Sequence, residues 1–119
     1  MPCAIRRFAS FERHLKNTLK KYPNSADAVE KEIASLAGAP ERGFVYPGFG
    51  NLQVRKFRIA LRAYRLSAST GLRLIFLYLP DKALVAPLII YKKGTIAAEH
   101  QVKAMLLNAL REILEELGD

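Results

Sequence analysis

The chain has no tryptophan, one cysteine, two histidines and two methionines among its 119 residues. Cys3 alone cannot close an internal disulfide, so a reducing cytoplasm is the expected compartment. His14, His100 and Cys3 lie far apart and form no metal-binding spacing, so neither a metal nor another cofactor is expected. Long apolar runs are also missing. The longest, Ala83 to Tyr91, falls well short of the roughly 20 residues that a bilayer span needs, and the opening MPCAIRRF lacks the apolar core of a signal peptide. No membrane partner is expected. The stretch GFVYPGFG has neither the lysine of a phosphate-binding loop nor dinucleotide spacing, and no serine-hydrolase elbow occurs, so no small-molecule substrate is implied.

The most informative scarcity is that of acid in the middle of the chain. Residues 53–96 carry nine lysines and arginines against Asp81 alone, whereas residues 1–52 sum to +3 and residues 97–119 to −3. The net charge of +8 is therefore the charge of one segment. A pair of catalytic carboxylates or a two-metal nuclease centre is excluded there, and a folded concentration of cations attracts phosphate. Alternating cations on a sheet are commonly just a solvated face. That reading accounts for the alternation but not for the segregation of charge.

Half of the residues are hydrophobic, enough for one modest core, so residues 1–119 are expected to form a single domain. Cys3 to Phe8 has the length of an edge strand. Ser10 can cap a helix with Phe11, Leu15, Leu19 and Tyr22 on one stripe, which Pro23 stops. Asn24 or Ser25 can start a second helix carrying Ala26, Val29, Ile33 and Leu36, with Gly38 and Pro40 marking its exit. The two make an αα-hairpin, and Ala39 to Asn51, rich in glycine and proline, reads as a loop.

From Leu52 onward the period becomes two. In VRKFRIALRAYR, Val54 to Arg65, the spacing predicts a strand with Phe57, Ile59, Leu61 and Ala63 on one face. Lys56, Arg58, Arg62 and Tyr64 fall on the other face, making a cationic and aromatic row. A turn at Ser67 to Gly71 leads to a strand at Leu72 to Leu79, and Pro80 to Lys82 leads to another at Leu84 to Tyr91, with Pro87 marking a bulge or an edge. Thr95 can cap a final helix reaching about Leu117, with Val102, Leu106, Ala109, Leu110 and Ile113 on its apolar side. The expected class is α+β in the order βααβββα, an antiparallel sheet covered on one face by the αα-hairpin and the C-terminal helix.

Three segments of this sheet follow in order: VRKFRI at 54–59, GLRLIFLY at 71–78 and LIIYKKG at 88–94, before a leucine-rich terminal helix. The chain in this respect resembles the RelE/ParE superfamily of bacterial toxin-antitoxin toxins, and most closely its RelE-like branch. In that branch a basic strand precedes a glycine-x-arginine strand opening and then a strand ending in lysine or arginine. The resemblance implies an mRNA endoribonuclease acting without metal, usually on the ribosome, and restrained by a cognate antitoxin. It places Lys56 in proton transfer or phosphate contact, and Arg58 and Arg73 at the transition-state phosphate. Lys92 and Lys93 stand where the family has its later basic residues. At the family's late acid/base position, often tyrosine, this chain reads GTIAAEHQ, leaving His100 and Tyr91 as the nearby candidates. Arg62 and Tyr64 extend the RNA-binding row, the tyrosine by stacking on a base. Two other classes stay open. A ParE-like protein would share the architecture but inhibit DNA gyrase without cutting RNA, and a noncatalytic module would use the basic sheet only to bind RNA or an acidic protein.

Overall fold

A computed structural model of the chain describes residues 2–95 and 99–118. In chain order its elements are β1 (Ala4–Ile5), α1 (Ala9–Lys21), α2 (Ala26–Ser35), β2 (Phe44–Val45), β3 (Gln53–Ile59), β4 (Leu72–Leu79), β5 (Leu84–Lys92) and α3 (Glu99–Glu116). The described residues form a five-stranded sheet in the order β1-β5-β4-β3-β2. The expected meander is present: β3, β4 and β5 pair antiparallel through short turns. β1 adds a parallel edge on β5, and β2 an antiparallel edge on β3 inside the stretch expected to be loop. Ile75 stands opposite Ile89 and Phe76 opposite Pro87, so one residue is extra on β5 at the proline, the bulge its missing donor called for.

The α+β class holds, but the helices divide between two faces of the sheet rather than sharing one. Leu72, Leu74 and Phe76 of β4 pack with Phe11, Leu15, Val29, Ile33 and Leu36 of the αα-hairpin segment. Ile75 and Leu77, pointing the opposite way, pack with Val102, Leu106, Ala109, Leu110 and Ile113 of α3. Burial from both sides is why β4 and β5 are apolar almost without interruption, since neither face has to meet water.

Two capping expectations are also revised. α1 begins at Ala9 with no side-chain cap, because Ser10 Oγ instead donates to Glu112 of α3 at 2.7 Å. Ser25 precedes α2, again without a side-chain cap. Thr95 donates to the Lys92 carbonyl at 2.6 Å, and the cap expected of it falls on residues 96–98, outside the described residues. No helix among the described residues is long and apolar enough to cross a membrane.

Candidate nucleic-acid interface

The basic strand ends sooner than its alternation predicts. β3 stops at Ile59, Arg62–Tyr64 turn as a short 3-10 helix, and Arg65 takes a left-handed conformation that lets Leu61 and Leu66 bridge. Packing against the αα-hairpin overrides the period. The Tyr64 hydroxyl accepts the Asn24 N–H at 3.0 Å and its ring meets Tyr22 edge-on at 5.1 Å. Tyr64 is thereby committed to the hairpin, and Arg62 borders a hollow beside α2 with Ser25 and Lys31. Neither belongs to the cationic row of β3.

That row itself is assembled by register. Val54, Lys56 and Arg58 lie opposite Leu77, Ile75 and Arg73, so all three share the α3 face of the sheet. Val54 sits in the core beneath α3, whereas Lys56 is half-buried and Arg58 exposed. Arg73 is in turn opposite Tyr91 of β5. The result is a cross-strand line Arg58, Arg73, Tyr91, with Lys56 one step along β3. Phe57 and Ile59 enter the core of the other face.

Arg73 differs from its neighbours in being buried, at 4% exposure. Its guanidinium donates to the carbonyls of Ala68 at 2.9 Å and Ser69 at 2.7 Å, and to its own strand at Leu72. Loss of hydration, followed by the nearby Arg58 charge, holds its pKa below the usual arginine value, with Tyr91 opposing. An arginine remains charged under this shift. No carboxylate pairs with Arg58 or Arg73 among the described residues. Elsewhere Arg6 meets Glu116, Arg7 meets Glu12 and Glu30, and Arg42 meets Glu32. These three peripheral arginines are neutralised, whereas Arg58 and Arg73 stand together without a carboxylate among the described residues, an arrangement suited to an incoming anion.

His100 joins the line from above. It stands in the first turns of α3 and, with Lys103 one turn further on, lines a cleft of about 500 Å3 shared with Lys56, Phe44 and Tyr46. The Lys56 ammonium lies 5.7 Å from the centre of the buried Tyr46 ring. Sequence reasoning had not selected Lys103 or Phe44. The 100 and 103 spacing on one helical face was readable, but which strand that face would meet was not.

Lys92 stands opposite Leu72 and so faces away from Arg73, where it borders a smaller hollow with His14, Thr18 and Lys21. Lys93 is exposed just beyond the strand. Arg55, unselected, is structural: it donates to the carbonyls of Glu41, Arg42 and Gly43 and holds the loop before β2. Among the described residues no group of three or more histidine, cysteine or acidic side chains is placed to hold a metal ion.

His14 gives the hollow on the opposite face a measurable signature. Burial, followed by the Arg13 charge, holds its imidazole below the ordinary histidine value. The unfolded chain therefore binds this proton more readily, so stability is undiminished above about pH 6.5 and is lost as pH falls toward the lowered folded value. Urea midpoints are expected to drop between pH 7.5 and pH 5 by more in the wild type than in His14→Gln. Equal slopes would show that His14 does not sense the fold.

Comparison with solved structures matches this architecture to the toxin RelE of E. coli. A double arginine-to-alanine mutant of RelE in the free state aligns with a TM-score of 0.58 at 17% identity, over 95% of this chain and 99% of that one. A crystal structure of the isolated E. coli RelE toxin, in its P21 form, aligns over 86% of this chain and 94% of its own, at 17% identity and a TM-score of 0.47. No family model and no curated protein matches the sequence. At this identity the likeness is one of fold, and the expected RelE-like fold is present.

Proposed function

We propose that this RelE-like chain is the toxin of a type II toxin-antitoxin pair and an endoribonuclease that cuts mRNA on the ribosome, in the cytoplasm. The observation carrying the reading is the line Lys56, Arg58, Arg73 and Tyr91 on one face of the sheet, with no acid opposite Arg58 or Arg73 in the strand register and His100 lining the same cleft as Lys56.

Cleavage of RNA at a ribose requires three things. A base removes the 2′-OH proton so that this oxygen attacks the adjacent phosphorus, cations stabilise the charge gathered on the phosphorane, and an acid protonates the departing 5′-oxygen. Arg58 and Lys56 are accessible and stabilise the phosphorane oxygens. Arg73 lies behind Arg58 and contributes fixed positive charge through the sheet rather than a free fork, because both its amino groups are already donating to carbonyls. Lys56 and His100 supply the proton-transfer pair across the cleft, and Tyr91 flanks the far end of the line. The scheme needs no metal. A line of this sign also needs covering when idle, so the antitoxin is expected to present acid where it lies over the sheet.

The test maps RNA ends by primer extension in a translating extract given the purified chain. Cuts within translated codons that vanish when initiation is blocked support the reading. Absence of cuts with folded, antitoxin-free chain would overturn it, and inhibition of DNA gyrase by that same sample would put a ParE-like action in its place.

A further inference from the structure

Phe44 is the feature of the cationic face that folding does not explain. It occupies a two-residue edge strand, 54% exposed, directly opposite Lys56 in the β2–β3 register, so its ring stands on the same face as Lys56 and Arg58. Edge strands are ordinarily guarded by charge or proline, and an aromatic ring left in water contributes little to the core.

The backbone that carries the ring is nevertheless tied down on both sides. Just before it, Gly43 adopts φ +74° with its α-carbon so close to β3 that a Cβ would come within 2.0 Å of the Lys56 carbonyl oxygen. The Arg55 guanidinium ties down the carbonyls of Glu41, Arg42 and Gly43, and just after Phe44 the Tyr46 N–H donates to Val54 at 2.7 Å while its ring is buried in the core. A flexible loop tip would carry none of these ties. Phe44 also walls the cleft of about 500 Å3, within the roughly 300–1,000 Å3 typical of small-ligand sites, opposite His100 and Lys103. Lys56 and Lys103 contribute positive charge to that wall, and among the described residues no carboxylate lines it.

We infer that Phe44 is a stacking platform for one nucleobase of the bound RNA, the base next to the phosphate held by Lys56, with Lys103 closing on the backbone from α3. The inference rests on the RNA-cleaving reading above and adds its recognition subsite. A planar apolar surface one strand away from a row of cations matches the alternation of base and phosphate along a single strand, in which every base offers a face for stacking. An acidic protein segment would use the cations but would have no particular need of an exposed ring on a fixed strand.

The experiment measures fluorescence anisotropy of a short labelled RNA with 2′-O-methyl riboses, which carries no attacking hydroxyl and so separates binding from cleavage. Phe44→Ala is expected to weaken binding roughly 5- to 100-fold, and Phe44→Tyr to preserve it. The dependence of affinity on salt should be unchanged in Phe44→Ala, whereas Lys56→Ala should flatten its slope by about 0.7. Scanning one abasic ribose along the RNA should find a position where wild type and Phe44→Ala bind alike. Salt-sensitive binding by the wild type that Phe44→Ala leaves unchanged would overturn the platform and spare the RNA reading. The same holds for a loss that no abasic position removes, since Phe44 would then merely hold the loop. Loss of a protein partner with RNA affinity intact would assign Phe44 to that partner and overturn the platform. No RNA binding by the wild type at low salt would remove both.

Discussion

Alanine at both Lys56 and Arg58 is expected to lower cleavage of translated mRNA by roughly 10²- to 10⁴-fold while the chain stays folded. Each removes an accessible cation from the place where charge develops, and the two losses are not expected to multiply, because both act on one phosphoryl group. What separates this outcome from general damage is its stability signature. Arg58 lies beside Arg73 with no carboxylate opposite it in the register, and after burial its charge is the second cause that lowers the Arg73 pKa. Removing Arg58 relieves a repulsion, so the urea midpoint of Arg58→Ala should equal or exceed that of the wild type. Loss of activity with undiminished stability is the mark of a site that holds like charges together for a ligand. The measurements are initial cleavage rates at matched folded concentration beside urea unfolding. Undiminished cleavage in the double variant would remove both residues from the mechanism, and a lowered midpoint in Arg58→Ala would make the residue structural.

Arg73 cannot serve as the same kind of probe, although its place in a glycine-x-arginine strand opening made it the natural choice from sequence. Its guanidinium fastens the turn at Ala68 and Ser69 from a buried position. Truncation would strand those carbonyls at a cost of about 1–3 kcal/mol each where water cannot reach them. A fall in cleavage after Arg73→Ala would mix a lost charge with a displaced turn. The informative positions are Lys56 and Arg58, the β3 cations that the register places on the α3 face.

How much of this was legible follows the range of the interactions. The meander, the bulge at Pro87 and the placing of Lys56 and Arg58 on one face depend on strand period and short turns, and these are written locally. The unbroken apolar runs of β4 and β5 also carried the news that both faces are covered, a signal that the one-sided expectation passed over. The end of β3 was not legible. Alternation continues through Arg62 and Tyr64, and only the distant Tyr22 and Asn24 draw Tyr64 off the sheet. The cleft was hidden for the same reason: Phe44 and Val45 form too short a strand to leave a period, and the position of His100 depends on where α3 crosses the sheet. Charge segregation pointed to the candidate surface, and tertiary contacts chose its members.

The second large effect is expected from one methyl group. Gly43→Ala would set a Cβ 2.0 Å from the Lys56 carbonyl oxygen, 2.8 Å from its carbon and 2.9 Å from the Phe57 Cβ, at a left-handed φ of +74°. None of these atoms is the loose end of a side chain, so strand β2 must move away from β3. Overpacking costs about 1–3 kcal/mol and the left-handed conformation a further 1–2 kcal/mol or so for a residue with a Cβ. A loss of roughly 2–5 kcal/mol is a large part of the stability of a domain this size, and it falls on the strand that carries Phe44 and flanks Lys56. The urea midpoint should drop, and the Tyr46 amide, which donates to Val54, should exchange with solvent faster than amides of β4. Gly38→Ala is the control, because a Cβ there meets nothing within 4 Å and its φ is not positive, so its midpoint should stay level or rise slightly. If Gly43→Ala were as stable as Gly38→Ala, β2 would have to be free to yield without loss. Phe44 would then be carried on a mobile edge, and its fixed place beside the cations, on which the stacking role depends, would go with it.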